Sequence, residues 1–114
     1  MDSNSLPLLK GTLDLLILKT LSWGARHGFA IARWLEERAD GEMEIEDSAL
    51  YQALHRLEER EFVTAEWGLT ENNRKARYYR LTTAGRGRLR ADADVWKRYA
   101  KVVGRILATT PRTA

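Results

Sequence analysis

One amphipathic stretch, residues 47–60, constrains the fold more than any other part of this chain. Its apolar residues recur at the spacing of a single helical face and so predict a helix with one buried side: Leu50, Ala53, Leu54 and Leu57. The side chain of Asp47 or Ser48 can accept hydrogen bonds from the first free amides, so we expect the helix to begin there. The rest of the chain must therefore supply an apolar surface that covers the buried side.

The opposite side of this helix carries a hydroxyl, a phenol, an amide, an imidazole and a guanidinium group: Ser48, Tyr51, Gln52, His55 and Arg56. Such groups form hydrogen bonds with base edges and phosphates in DNA. Taken alone, the pattern is more often an ordinary helix with a mixed polar face, and Tyr51 lies near the edge of the apolar stripe, where it can also pack. The sequence after the helix favours the DNA interpretation.

Two short alternating segments follow the helix and predict a β-hairpin with a basic tip. Residues 62–67 form the first strand, with Val63, Ala65 and Trp67 on one face, and residues 77–81 form the returning strand. The polar side chains of the tip suit contact with phosphates and with a narrow groove: Asn72, Asn73, Arg74, Lys75 and Arg77. The alternative is a hairpin whose charges only keep it soluble.

Two helical patterns and a short strand pattern precede the central helix. The first helix is expected from its cap Thr12 to near Gly24, and the second from about His27 to Ala39. The second helix has a predicted inward face: Phe29, Ile31, Ala32 and Leu35. Residues 42–46 alternate polar and apolar side chains, as a short half-buried strand does.

This order of elements predicts a fold that is mainly α with a small β-wing (α+β). A winged helix-turn-helix domain would occupy residues 9–82, between a flexible N-terminus at 1–8 and the helix that follows. In such a module the third helix enters the major groove, and the hairpin reaches the flanking backbone or the minor groove. Double-stranded DNA is thus the favoured partner. The alternative is a winged-helix protein–protein interaction module without specific DNA binding, which would not need the basic tip.

A long C-terminal helix is predicted at residues 83–109, capped by Thr82 or Thr83 and followed by a flexible tail at 110–114. At 1.5 Å per residue it would be about 40 Å long, too long for a small domain to cover. One apolar seam repeats at spacings of four and three residues: Leu89, Ala93, Trp96, Ala100, Val103 and Leu107. We therefore expect a homodimer in which this seam packs on a partner chain, together with the apolar first helix: Leu13, Leu16 and Ile17.

The distribution of charge is uneven, although the net charge of the 114 residues is only +3. Residues 71–90 hold seven bases and one acid, whereas residues 36–47 hold seven acids and one base. A charged segment is usually just a solvated face. Separation of this kind, however, attracts a polyanion to one side of a protein and repels it from another.

Several classes of function are excluded by what the sequence lacks. The chain has no cysteine, and its two histidines lie far apart, so we expect no disulfide and no metal site. Neither a nucleophile–base pair nor a phosphate-binding loop stands out, which argues against an enzyme and against a cofactor. The longest apolar run, residues 13–18, is short and contains Asp14, and the N-terminus does not resemble a secretory signal. The expected location is therefore the cytoplasm, with no membrane partner.

Four segments together resemble the PadR-like transcriptional regulators: Leu9–Leu18, His27–Ile31, Leu50–Glu58 and Tyr78–Thr82. The total length is similar to that of the short subfamily with a single C-terminal dimerisation helix. The resemblance implies a winged-helix, homodimeric and usually repressing regulator that binds a palindromic operator, often upstream of its own gene. Members often respond to small aromatic or amphipathic molecules, and we therefore expect a repressor that such an effector releases from DNA.

Carried onto this chain, the resemblance places DNA-contacting positions at Tyr51, His55 and Arg56 of the third helix and in the hairpin at Asn73, Arg74, Lys75 and Arg77. The chain departs from the family pattern at Ser48, Ala49 and Gln52, so the bases that it reads are not implied. Some members hold flat ligands between aromatic side chains at the dimer interface, which would assign Trp96 and Tyr99 to an effector site. Trp96 can equally be a filler of the interface.

Overall fold

Three helices, a β-hairpin and a long fourth helix follow one another along the chain, and a two-residue strand joins the hairpin. A computed structural model describes residues 5–9 and 11–111. The elements are α1 (Thr12–Leu21), β1 (Arg26–His27), α2 (Gly28–Arg38), α3 (Asp47–Glu59), β2 (Val63–Leu69), β3 (Lys75–Leu81) and α4 (Thr83–Leu107). The predicted α+β class, with a helix-turn-helix, a β-wing and a long C-terminal helix, is confirmed.

The sheet has three antiparallel strands in the order β1-β3-β2. The hairpin is longer than predicted, because β2 continues to Leu69 and β3 already begins at Lys75, its partner in the register. The prediction of a strand at residues 42–46 is wrong, and the third strand is Arg26–His27 instead. The backbone N–H of Ile45 donates to a carboxylate oxygen of Glu36 at 3.0 Å. Ile45 is buried, but residues 42–46 do not pair with a neighbouring strand, so the alternation in the sequence does not correspond to a strand.

The core lies between α1, α2, α3 and the inner face of the sheet. The fully buried large side chains come from all four: Ile17, Leu18, Leu21, Ile31, Leu50, Leu54 and Val63. Leu13 and Ile17 were predicted to contact a partner chain, but they are 7% and 0% exposed within this chain. They belong to its own core because α1 is the central helix, packed by α2, α3 and α4 together. Leu16 is half-buried against the same core.

The second helix differs from its prediction in one residue with consequences for function. Ile31, Ala32 and Leu35 face inward as predicted. Phe29 does not, since 62% of its surface is exposed. It lies in the first turn of α2, beyond the edge of the core, where it points toward the wing side of the molecule.

The helix starts show where local sequence did and did not decide the structure. Thr82 caps α4 as predicted, because its hydroxyl accepts a hydrogen bond from the N–H of Gly85 at 2.9 Å. The predicted cap of α3 by Asp47 or Ser48 is wrong, since the N-cap is Glu46 and no side chain caps it. The N-cap of α1 is Gly11 at φ 85° rather than Thr12. Tertiary packing of their apolar faces holds these two helices without a side-chain cap.

The chain ends were predicted to be flexible at residues 1–8 and 110–114. Residues 1–4 and 112–114 lie outside the described residues. Within the described part, the N–H of Leu6 donates to the carbonyl of Glu42 at 2.7 Å. Leu8 packs against the core. Residues 5–9 therefore contact the domain.

The fourth helix extends well past the domain that it starts from. Gly85 and Leu89 pack against the hairpin base and the core. Beyond them the apolar residues of α4 remain solvent-exposed in the single chain: Val95, Trp96, Tyr99, Val102, Ile106 and Leu107. None of the helices in the described residues combines the length and apolar character needed to span a bilayer.

Replacement of Gly85 by alanine is expected to destabilise the protein by about 1–3 kcal/mol. A Cβ at this position would overlap the backbone carbonyl oxygen of Phe62, which cannot rotate away. Gly87→Ala is the matched control, because nothing lies within 4 Å of a Cβ there and alanine favours a helix. Urea denaturation of both variants at equal protein concentration would measure the difference. Equal stability of the two variants would contradict close packing of α4 on the hairpin base.

Candidate nucleic-acid interface

The exposed side of α3 presents one narrow polar stripe to solvent. At about 100° per residue, the positions opposite the buried stripe share a single line along the helix: Ser48, Gln52, His55 and Glu59, all exposed. The two remaining predicted positions flank this line. Tyr51 lies on the side of α2 and the wing, and Arg56 lies on the side of α1. The predicted reading residues of α3 thus share the accessible half of the helix.

Tyr51 packs tightly over the start of α2. A Cβ at Gly28 would lie 2.5 Å from the Tyr51 hydroxyl, so only glycine leaves room for the ring in this position. Tyr51 nevertheless keeps 47% of its surface exposed. The interpretation of Tyr51 as a partly packing residue therefore fits its position, and its ring forms one wall of a groove.

That groove lies between the N-terminus of α2, the flank of α3 and the wing, and encloses about 1200 Å³ of open space. Five of its lining residues are bases, from β1, α2 and the wing: Arg26, Arg33, Arg74, Lys75 and Arg77. The backbone amides at the start of α2 also lie on this side, where a helix N-terminus favours an anion. Three carboxylates also line the groove, Glu37, Glu58 and Glu71, so the bases outnumber the acids by five to three. A strand of polyanion alongside α3 would therefore meet an excess of positive charge.

Aromatic rings in the groove hold several of these cations. The Arg33 guanidinium lies 5.7 Å from the ring centre of Phe29, and the Lys75 ammonium lies 5.8 Å from that of Trp67. Trp67 is 66% exposed although it follows Val63 and Ala65 on the same face of β2, because the core ends before it. Sequence reasoning missed Phe29, Arg33 and Trp67 as groove residues. The available signal was Arg33 four residues after Phe29, which places a cation beside a ring on one helical face.

The wing tip is a hydrogen-bonded turn. The N–H of Thr70 donates to the carbonyl of Arg74 at 2.9 Å, and the Thr70 hydroxyl accepts from the N–H of Arg74 at 3.2 Å. Asn73 adopts φ 63°, a left-handed conformation that asparagine tolerates better than most residues. Asn72, Asn73, Arg74 and Lys75 are all exposed on this turn. The structure thus brings the predicted basic side chains of the tip together at the mouth of the groove.

Two of the predicted DNA-contacting residues are bonded to carboxylates of the same chain, and a third lies near one. Arg56 binds Asp14 of α1 at 2.7 Å, and Arg77 binds Glu58 of α3 at 3.0 Å. His55 lies 3.3 Å from Glu59. The hydrogen bond that Arg56 donates to Asp14 raises the pKa of Arg56 above its ordinary value. Among the described ion pairs, none involves Arg74 or Lys75, so these two are the least neutralised of the predicted DNA-contacting bases.

The residues predicted for other kinds of site lie elsewhere. Trp96 and Tyr99 are 45% and 66% exposed on the free apolar side of α4, and neither lines the groove. In the described part of the chain, no cluster of three or more histidine, cysteine, aspartate or glutamate residues could hold a metal ion.

The sequence matches the model of the transcriptional regulator PadR-like family over residues 17–91, more than half of the chain. A solved PadR family regulator from Eggerthella lenta is 32% identical, with a TM-score of 0.74 over 89% of this chain and 86% of that one. A transcriptional regulator from Clostridium thermocellum is 27% identical, with a TM-score of 0.77 over 84% of this chain and 93% of that one.

A PadR family transcription regulator from hypervirulent Clostridium difficile is 25% identical, with a TM-score of 0.75 over 86% of this chain and 100% of that one. The family and these neighbours are regulators of transcription and not enzymes. The winged helix-turn-helix, the long C-terminal helix and the match over residues 17–91 agree, and the chain belongs to the PadR-like family of transcriptional regulators.

Proposed function

We propose that this protein is a sequence-specific DNA-binding repressor that works as a homodimer and is released by a small aromatic or amphipathic effector. One observation carries the DNA-binding part of the proposal. The polar stripe of α3 and the cationic groove between α2, α3 and the wing form one continuous accessible surface. Base-reading groups and phosphate-binding groups are thus adjacent, as a duplex requires.

In this arrangement α3 enters the major groove. Ser48, Gln52 and His55 would face the base edges, and Gln52 has the amide geometry that pairs with adenine. The sugar–phosphate backbone beside the major groove would lie in the cationic groove, against Tyr51, Arg33 and the first amides of α2. Asn72, Asn73, Arg74 and Lys75 of the wing would contact the next phosphates or the minor groove. Because a DNA-binding regulator must reach the DNA, the proposed location of the protein is the cytoplasm.

The free apolar side of α4 supports the homodimer. Val95, Tyr99 and Ile106 are each more than 60% exposed in the single chain. An exposed group of large apolar side chains on one helix is unusual in a monomer and marks an interaction surface. A second copy of α4 related by a two-fold axis would cover them. The same axis would present two α3 helices to half-sites about one DNA turn apart, so the operator would be palindromic. The interface would include Ala93, Trp96, Ala100, Val103 and Leu107 of the predicted seam, whereas Leu89 packs against the chain's own core.

The proposed effector site lies between the two copies of α4. Support comes from Trp96 and Tyr99, whose rings are available on the side where the dimer would form. A flat apolar ligand between two indole rings would change how the two helices pack. Because α1 packs against both α3 and α4, the spacing of the two α3 helices would change too, and the dimer would no longer fit its palindromic operator.

Fluorescence anisotropy would test the function directly, with the duplex upstream of the protein's own gene against a scrambled duplex at low and near-physiological salt. We expect tighter binding to the upstream duplex at both salt concentrations and a steep loss of affinity as salt rises. Equal affinity for the two duplexes, lost as salt rises, would mean that the surface binds polyanions without sequence preference. No binding would favour the protein-interaction module.

The same titration extends to the effector. A panel of aromatic compounds is added to the complex while tryptophan fluorescence is followed. Release of DNA without a change in the fluorescence of a Trp96-only variant, in which the three other tryptophans are phenylalanine, would contradict the effector site at Trp96.

A further inference from the structure

The strongest polar link between α1 and α3 lies beside the exposed stripe of α3. Arg56 donates twice to Asp14, from Nη2 to Oδ1 at 2.7 Å and from Nε to Oδ2 at 3.4 Å. The two residues are 42 positions apart in the sequence, so the contact depends on the tertiary fold. This two-point geometry is the one by which arginine also binds a phosphate group.

The ion pair is accessible rather than buried. The side chain of Arg56 is 48% exposed, and that of Asp14 is 23% exposed. Arg56 directly follows His55 of the exposed stripe, on the flank opposite the cationic groove. When α3 lies in a major groove, the second DNA backbone passes along this flank. A phosphate there would compete with the Asp14 carboxylate for the same two donors.

We infer that Asp14 is an internal competitor of the DNA phosphate: it holds Arg56 out of the backbone contacts and so lowers the affinity for duplex DNA without altering the sequence preference. The inference rests on the proposed function and deepens it, because it assigns a role to a carboxylate on the DNA-binding side. Arg56 then orients α3 through α1, whereas the two unpaired bases of the wing tip, Arg74 and Lys75, supply the phosphate contacts.

The negative charge of Asp14 also repels DNA directly. This repulsion can be separated from the competition for Arg56. Repulsion by Asp14 does not depend on Arg56. Competition does, because only a freed guanidinium can form the new contact. A double-mutant cycle of Asp14→Asn and Arg56→Gln therefore isolates the competition. Asp14→Glu keeps the charge and serves as the matched control.

We expect D14N to bind both the upstream and the scrambled duplex more tightly, on the order of tenfold for a dimer, with the ratio of the two affinities unchanged. The salt dependence of log K should steepen by about 0.9 for each freed arginine, or roughly 1.8 for the dimer. In the R56Q background the same substitution should give little of this gain. D14E should bind like the unmodified protein.

Several results would overturn the inference. An equal gain from D14N with and without Arg56 would show repulsion only, and weaker operator binding by folded D14N would show that the ion pair is needed for positioning alone. R56Q by itself gives an independent check that leaves Asp14 intact. If it makes the slope of log K against log salt shallower by about 1.8, Arg56 already contacts phosphate in the unmodified protein. If the unmodified protein binds neither duplex, the proposed function fails and the inference fails with it. If the unmodified protein binds the upstream duplex specifically and D14N binds it with the same affinity, the inference fails but the proposed function stands.

Discussion

Replacement of both Val102 and Ile106 of α4 by aspartate is expected to convert the protein from a dimer to a monomer. The two side chains are 40% and 64% exposed in the single chain and lie one helical turn apart on the free apolar side. Burial of their exposed parts contributes roughly 1.5–3 kcal/mol for the pair, and a two-fold axis repeats that contribution. The loss of both side chains from both copies would therefore raise the dissociation constant roughly 10²- to 10⁴-fold. Aspartate adds the cost of a buried charge.

Sedimentation equilibrium would measure this change, and anisotropy on the operator duplex would show whether DNA binding falls with it. Lys101→Ala is a control that removes one positive charge from the opposite face of the same helix. It should leave the dimer intact. A double aspartate variant that remains dimeric, with helix content unchanged by circular dichroism, would mean that another surface forms the dimer. Loss of the dimer with full operator affinity would mean that one domain binds DNA alone.

Removal of both free bases from the wing tip, Arg74→Ala with Lys75→Ala, should weaken DNA binding more than any other pair of surface substitutions. These bases stand on a hydrogen-bonded turn and lack a carboxylate partner among the described ion pairs, so their charge is available to phosphate. Each lost phosphate contact lowers the slope of log K against log salt by about 0.9, or roughly 3.6 for the four contacts of a dimer. We expect affinity near physiological salt to fall roughly 100-fold or more.

The control for this prediction removes the same charge elsewhere. Arg98→Ala with Lys101→Ala takes two exposed bases from the polar face of α4, away from the groove. Anisotropy titrations over a range of salt would compare the two variants on the same duplex. Similar losses for both would show that net charge, and not the wing, determines affinity. A wing variant that binds DNA normally would support a protein-interaction module.

The elements that the sequence predicted well are those whose signal is contained in one stretch. The apolar stripe of α3 is buried at all four predicted positions, because a helix of 13 residues repeats its period several times. The cap of α4 at Thr82 needs only the N–H of Gly85, three residues away. The hairpin shows its alternation within each strand. In each case local geometry and burial point to the same structure.

The elements that the sequence did not predict depend on distant partners. Strand β1 has two residues, too few for any alternation, and exists because Arg26 pairs with Tyr79. Residues 42–46 alternate well but have no strand beside them. Phe29 has the spacing of a core residue, yet the core ends before its position, and 62% of its surface faces the groove side. Spacing alone cannot show where the neighbouring surface stops.

The candidate site divides in the same way. Sequence reasoning placed the polar residues of α3 on one half of the helix and the basic residues at the wing tip, because a helical period and a turn are local. It did not show that Arg56 and Arg77 are bonded to Asp14 and Glu58, since these partners lie 42 and 19 residues away. Nor did it show that Leu13 and Ile17 belong to the chain's own core.

By itself, therefore, the sequence determined the order of the elements, the buried side of α3 and the long apolar side of α4. Those features follow from periods of 3.6 and 2 residues, which each segment carries independently of its surroundings. Only the tertiary structure decided which cations remain free, which aromatic rings line the groove and which apolar residues are left for a second chain. Each of these depends on what lies within a few ångströms in space, and packing brings residues from distant parts of the chain to that distance.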